Sequence, residues 1–257
     1  MTIVAVPYHI DELLNPFEVG VITDREVVVD LPTGTAWDRM AAIYERVAQL
    51  VAHSLAEGGQ RPIVISGDCT TSLGVLTGMR RAGLEPGVVW LDGHADFQTE
   101  ATTSSGYLGG MPLSLAVGVG TLTLPTTLGL APLDPTHVVL VDARDTDPPE
   151  HVLLDESAIK RATVLDLDST LVPDGDVYVH IDLDVIDPVG LPDLRFPAPG
   201  GPSLDEVLAA VSRVAATGRV AAVGIAATWR PDSVSQEHHT AVRRLVETLR
   251  GSVRAER

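Results

Sequence analysis

The chain has 257 residues, 45% of them hydrophobic, enough for a substantial buried core, with no low-complexity block that argues for disorder. Acidic residues number 35 against 18 basic ones, a formal net charge of -17, and such a surface repels nucleic acid and anionic membranes alike. The single cysteine, Cys69, excludes an internal disulfide framework, and no apolar run reaches the ~20 residues that a membrane span needs.

The first fifteen residues carry His9, Asp11 and Glu12 and lack a basic start followed by an apolar run, so they do not read as a signal peptide, and a cytoplasmic location is expected. A β-branched run at residues 3–7 predicts a first strand, and three- and four-residue apolar spacing predicts a helix over 36–55. Strands follow at 62–66, 87–92, 137–141, 177–184 and 220–226, with helices at 71–82, 111–117, 203–216 and 236–250. Ser203-Leu204-Asp205-Glu206 fits a capping box at the start of the fourth of these five helices. Near-continuous apolar strands alternating with helices predict an α/β fold whose central parallel sheet is covered on both faces. No repeat or linker divides the chain, so a single domain over 1–257 is expected.

Ligand sites of such sheets gather at the carboxyl ends of the strands. Acidic clusters fall there three times: Asp68-Cys69 after Ile63–Ile65, Asp92 to Asp96 after Val88–Leu91, and Asp182 to Asp187 after Val177–Ile181. In Asp92-Gly93-His94-Ala95-Asp96, extended backbone turns Asp92, His94 and Asp96 to one side. Asp182 and Asp184 share a face at the end of Tyr178 to Ile181, and Asp187 before Pro188 reads as a turn residue. An isolated Asp-x-His-x-Asp is more often a solvated turn. Behind the buried-looking Val88-Val89-Trp90-Leu91 it calls for cations, because converging carboxylates otherwise repel or protonate.

Asp-x-His-x-Asp followed ninety residues later by Asp-x-Asp-x-x-Asp-Pro resembles the ureohydrolase family of arginases, agmatinases and formimidoylglutamases, and the likeness runs from about Ile63 to Pro231. The resemblance implies a three-layer α/β/α arginase-like fold and two Mn(2+) ions per chain. It places Cys69 and Asp96 on one ion, His94 and Asp184 on the other, and Asp92 and Asp182 as bridges. It also implies that Asp96 takes the proton of the attacking water and returns it to the leaving amine.

Three departures stand out. The family's Gly-Gly-Asp-His segment is Ser66-Gly67-Asp68-Cys69 here, so a thiol stands where a histidine ligand is expected, and softer ions enter the field beside manganese. In Thr102 to Pro112, which resembles the loop holding the substrate's amino-acid end, the slot of a proton-shuttling histidine is Gly109. Gln98, Thr103 and Ser105 keep groups suited to a carboxylate, and Arg144-Asp145-Thr146-Asp147-Pro148 resembles the stretch whose second aspartate, Asp147, holds an α-amino group. In Thr228-Trp229-Arg230-Pro231, Thr228 takes the slot of a glutamate facing a guanidinium, with Arg230 nearby adding repulsion.

A retained amino-acid clamp beside a lost guanidinium partner suits an arginine of reduced basicity. The pattern is similar to the Nω-hydroxy-L-arginine amidinohydrolases of D-cycloserine biosynthesis, which implies hydroxyurea and L-ornithine as products. Arginase, agmatinase and formimidoylglutamase activity are the alternatives, as is a silent metal-binding relative. The partner expected is a small amino-acid substrate, with no nucleic acid or membrane, and the short end after the last helix favours a monomer. His180 reads as a satisfied core histidine, His238 and His239 as surface residues, and the sequence identifies no partner for His9, His53, His137 or His151.

Overall fold

A computed structural model describes residues 1–56 and 60–251. The strands are β1 (Thr2–Val6), β2 (Tyr8–His9), β3 (Glu12–Leu13), β4 (Arg25–Glu26), β5 (Pro62–Ser66), β6 (Gly87–His94), β7 (Val138–Asp145), β8 (Lys160–Ala162), β9 (Val177–Asp182) and β10 (Val220–Ala226). The helices are α1 (Ala36–Ala56), α2 (Ser72–Arg81), α3 (Pro112–Ala116), α4 (Thr123–Leu128), α5 (Pro148–Glu156), α6 (Leu204–Ala215) and α7 (Gln236–Gly251). Eight strands form one parallel sheet in the order β4-β1-β5-β10-β9-β6-β7-β8, and β2 and β3 pair as a small antiparallel hairpin.

Alternation along each strand sends side chains to two separate cores. Val64, Val88 and Trp90 pack with Tyr44, Leu73 and Leu76 of α1 and α2 on one face. Val89, Leu91, Val179 and Ile181 pack with Val207, Val211 and Leu245 of α6 and α7 on the other. Both faces are therefore covered, which is why these strands read as unbroken apolar runs. None of the described helices is long and apolar enough to cross a membrane.

The longer strands and helices stand close to their expected places, with instructive differences. The strand expected over 177–184 stops at Asp182, because Leu183–Val185 tighten into a 3-10 turn. The short α4 and the helix α5 are additions to the expected set; Pro125, Pro148 and Pro149 mask their pattern, although proline is well tolerated in a first helical turn. The cap at Ser203 is as expected: Glu206 Oε2 accepts from Ser203 N at 2.7 Å, and Ser203 Oγ accepts from Glu206 N at 3.3 Å. Ser203→Ala is expected to cost about 1 kcal/mol, lowering Tm by about 2–4 °C in a thermal melt.

The topology brings the acids together. The connection β5-α2-β6 lies over one face of the sheet and β9-α6-β10 over the other, while β10 and β9 stand between β5 and β6. Such a reversal opens a crevice at the carboxyl ends of the central strands.

Candidate metal centre

A cavity of about 480 Å³ opens at that crevice. Every ligand and substrate-binding residue singled out from the sequence lines it except Asp92, which lies beneath, 1% exposed. Cys69 arrives from a 3-10 turn, Cys69–Thr71, whose start is capped by Asp68 accepting from Thr70 N at 2.7 Å. His94 ends β6, and Asp182 ends β9.

The extended backbone expected through Asp92, His94 and Asp96 holds only for the first two. Asp96 lies beyond β6 with a left-handed φ of 51°, so it reaches the cavity through a turn rather than by strand alternation. Asp184 likewise sits on the 3-10 turn, not on the strand. It is brought round because its own N–H donates to Asp182 Oδ1 at 2.9 Å. Gly93 lets the two segments touch: its N–H donates to Asp184 Oδ1 at 3.0 Å, and a Cβ there would meet Asp184 O and the Ala198 side chain. Arg144 fixes the same turn from behind, donating to Asp184 O at 2.9 Å and Val185 O at 3.1 Å.

Contacts inside the cluster are dense. Cys69 Sγ lies 2.8 Å from Asp182 Oδ2 and 3.9 Å from Asp92 Oδ2. His94 Nδ1 is 3.0 Å from Asp184 Oδ2 and 3.6 Å from Asp92 Oδ1. Trp90 Nε1 donates to Asp92 Oδ2 at 3.1 Å, and Thr228 Oγ1 donates to Asp182 Oδ1 at 3.0 Å. Asp96 Oδ2 is buried and has no hydrogen-bond partner. Two sets of donor atoms come within 4.8 Å of one another: Cys69, Asp92, Asp96 and His180, and separately Asp92, His94 and Asp184.

The electrostatics of so many acids in one space are severe. Burial, reinforced by Asp92 and Asp182, pushes the Asp96 carboxyl well above its ordinary range. Burial and the neighbouring Asp184 and Asp92 do the same to Asp182. Asp184 is raised to about 7 by burial and by Asp92, against the pull of His94. The Cys69 thiol is pushed far up by burial and then by Asp182 and Asp96. Burial alone would lower His94, yet Asp184 and Asp92 overcome it and lift the imidazole to about 12. Burial opposes ionisation of Asp92 too, but the hydrogen bond and charge of His94 hold it below the usual carboxylate range. Without added positive charge, such a cluster holds protons; with it, the carboxylates can ionise together. The unpartnered Asp96 oxygen and the sulfur, nitrogen and carboxylate donors fit a pair of divalent cations.

At the other end of the cavity, Gln98 Nε2 donates to Asp147 Oδ2 at 3.0 Å, and Gln98 Oε1 is buried with no hydrogen-bond partner. Thr103 Oγ1 and Ser105 Oγ stand 3.4 Å apart on the rim. Glu150, a residue that the sequence motifs did not single out, lines this end as well. It accepts from Phe97 N at 2.8 Å and from Asp147 N at 3.3 Å, and burial raises its carboxyl. The Asp147-Pro-Pro-Glu150 spacing is a capping signal that could have found it.

Tyr107 is a second such residue. Its ring lies against Gly109, where any Cβ would occupy the same space, so the glycine clears room for the phenol. The ring packs on Phe196 at 4.7 Å and faces His9 at 5.8 Å, with Tyr107 Oη 3.4 Å from His9 Nε2. Burial and the nearby Asp68 and Cys69 raise the phenol far above its usual value, so it stays a donor.

Other expectations need correction. His238 is not a surface residue: it is fully buried, stacks on Trp229 at 5.0 Å and contacts Pro192 O at 2.7 Å. His9 has partners, Tyr107 and Gly67 O, the latter 3.1 Å from Nδ1. His151 faces Asp155 at 3.5 Å, one helical turn on. Arg230 is exposed and, like Trp229, does not line the cavity. Asp187 behaves as expected of a turn residue, accepting from Val189, Gly200 and Gly201.

Comparison with known proteins agrees with this arrangement. A model of the arginase family matches residues 6–243. The arginase of Eremothecium gossypii is 32% identical over 186 residues, covering 66% of this chain and 47% of that protein. The arginase of Bacillus subtilis is 34% identical over 176 residues, covering 63% of this chain and 59% of that protein. The chain thus spans about half to three-fifths of the length of these curated relatives. A crystal structure of arginase from Bacillus subtilis superposes with a TM-score of 0.80 at 26% identity, covering 98% of this chain and 99% of that one. By the family match and by this architecture, the chain belongs to the arginase family.

Proposed function

We propose that this protein hydrolyses the guanidino group of an arginine-like amino acid, and that its substrate is Nω-hydroxy-L-arginine, released as hydroxyurea and L-ornithine. The observation that carries the substrate is Thr228: at the acidic end of the cavity its hydroxyl is spent on Asp182, so this position offers no free carboxylate to pair with a cationic guanidinium. An N-hydroxyl withdraws electrons and makes the neutral guanidine accessible near neutral pH, which removes the need for that pairing.

Cys69 and Asp96 would hold one divalent ion, His94 and Asp184 the other, with Asp92 and Asp182 shared; carboxylate-rich sets suit manganese. When bound, such a pair activates water at neutral pH and stabilises charge developing on the attacked group. Asp96 Oδ2, buried and otherwise unpartnered, accepts the proton of the attacking water and returns it to the nitrogen of ornithine as the carbon–nitrogen bond breaks. Asp147 and Glu150 face the substrate's α-amino group, and Gln98, Thr103 and Ser105 its carboxylate. His94 is the one histidine lining the cavity among the described residues, and Tyr107 stands over Gly109. A substrate whose leaving chemistry needs little external proton shuttling fits that wall.

Ornithine release from L-arginine and from Nω-hydroxy-L-arginine tests the proposal, with agmatine as a control lacking the α-carboxylate. A clear preference for arginine would end the hydroxyarginine reading while leaving the metal centre in place. Thr228→Glu is expected to shift relative kcat/KM toward arginine by at least about tenfold, the scale of discrimination one pocket contact provides.

A further inference from the structure

Directly beneath the acids, His180 of β9 is 1% exposed, and its ring lies flat on Trp90 of the neighbouring strand, centroids 3.8 Å apart. Nδ1 is 3.0 Å from Ser72 Oγ, which in turn is 2.8 Å from Tyr178 Oη. Nε2 is buried and has no hydrogen-bond partner. The expected satisfied core histidine is therefore satisfied at one nitrogen only, and a buried polar atom left bare is both costly and rare.

A ring nitrogen of His180 is one of four donor atoms, with Cys69 Sγ and oxygens of Asp92 and Asp96, that lie within 4.8 Å of one another. One ion with donor distances of about 2.0–2.3 Å draws in a set of that spacing. The second set, Asp92, His94 and Asp184, shares only Asp92 with the first. Each set then carries one imidazole. We propose that His180 is a ligand of the ion on the Cys69 side, adding an imidazole to its sulfur and carboxylate donors and shifting that position toward zinc, cobalt or ferrous iron ahead of manganese. Ser72 is the orienting partner: it accepts Nδ1–H and so leaves the Nε2 lone pair facing the ion, the usual arrangement behind a metal-bound histidine. The inference rests on the cavity being a metal centre, and not on which guanidine it cleaves.

Cobalt(II) added to the chelator-stripped full chain tests it. The thiolate-to-cobalt absorption band reports the ion on the Cys69 side, and elemental analysis counts the ions. Wild type is expected to take up two ions with that band. His180→Asn and His180→Phe, the latter keeping a ring against Trp90, are expected to weaken the band-forming site by more than about tenfold while leaving the other ion bound. Wild-type affinity at that site in both variants would overturn the inference and leave the centre standing. A wild type that takes up no cobalt would overturn the centre itself.

One readout needs no variant. In cobalt-loaded wild type, a hyperfine-shifted imidazole N–H that exchanges slowly with heavy water is expected from the buried Nδ1 of His180, whereas the side chain of His94 is 29% exposed. The absence of any slowly exchanging shifted N–H would also overturn it.

Discussion

Asp182→Asn is expected to lower turnover by more than about 100-fold and to reduce bound metal from two ions per chain to one or none. Residues that merely stand behind metal ligands already cost about 10–100-fold when changed, and Asp182 is at the centre of the cluster. One of its oxygens faces Cys69 at 2.8 Å, and the other accepts from Thr228 and from the backbone of Asp184. The amide is nearly the same size, so the fold survives, but it removes a negative charge that two cations would share. Elemental analysis beside steady-state kinetics checks both parts. A variant retaining two ions and near-normal turnover would remove Asp182 from the centre.

The second large effect is linkage between metal, protons and stability. In the metal-free protein Asp96 and Asp182 are raised by burial and by neighbouring acids, and Asp184 is raised to about 7. A carboxyl whose pKa is higher folded than unfolded contributes stability that is fully present below its unfolded value and is lost as pH rises through its folded value. His94, raised from 6.5 to about 12, has the same sign, its loss beginning near neutrality and ending far above it. Tm of the stripped protein is therefore expected to fall as pH rises from 3.8 to about 7, the window of Asp184. Bound cations require the ionised acids, a neutral imidazole and a thiolate, so uptake releases protons and the gain in Tm on adding manganese grows over the same window. Titration calorimetry in two buffers of different ionisation enthalpy measures the protons released. Equal heats in both buffers would show that no protons leave, and the linkage would fail.

Much of the fold is legible in residue order alone. Continuous apolar runs such as Val88-Val89-Trp90-Leu91 signal burial on both faces, so the central strands and the parallel sheet follow from them. The ligand residues are legible because carboxylates at the ends of such runs are too costly to bury without a counter-charge. How two of them arrive is not legible. Asp96 depends on a left-handed backbone that favours glycine, and Asp184 on a 3-10 turn that ends the strand early. Neither conformation shows in the apolar periodicity: the turn at Asp184 is made by a local bond to Asp182, and aspartate is among the few residues that enter the left-handed region. Tyr107 escapes for a related reason: its place is defined by what is absent at Gly109, and a missing side chain says nothing until its neighbour is seen. The buried histidines are the clearest failure. Periodicity places His238 at the start of a surface helix, while its partner Pro192 is 46 residues away in sequence.

The order of the sheet has a consequence for biogenesis. β10 is the last strand of the sheet in chain order, yet it is inserted between β5 and β9 and hydrogen-bonds to both. Until residues 220–226 leave the ribosome, β5 and the Cys69 turn that follows it have no strand joining them to the β9-β6 pair that carries the other donors. Pairing across such separations is slow, because a long loop must close before any contact rewards it. Completion of the position on the Cys69 side is consequently a late event of synthesis, and a nascent chain stalled before β10 should carry the donors of β6 and β9 without the sulfur.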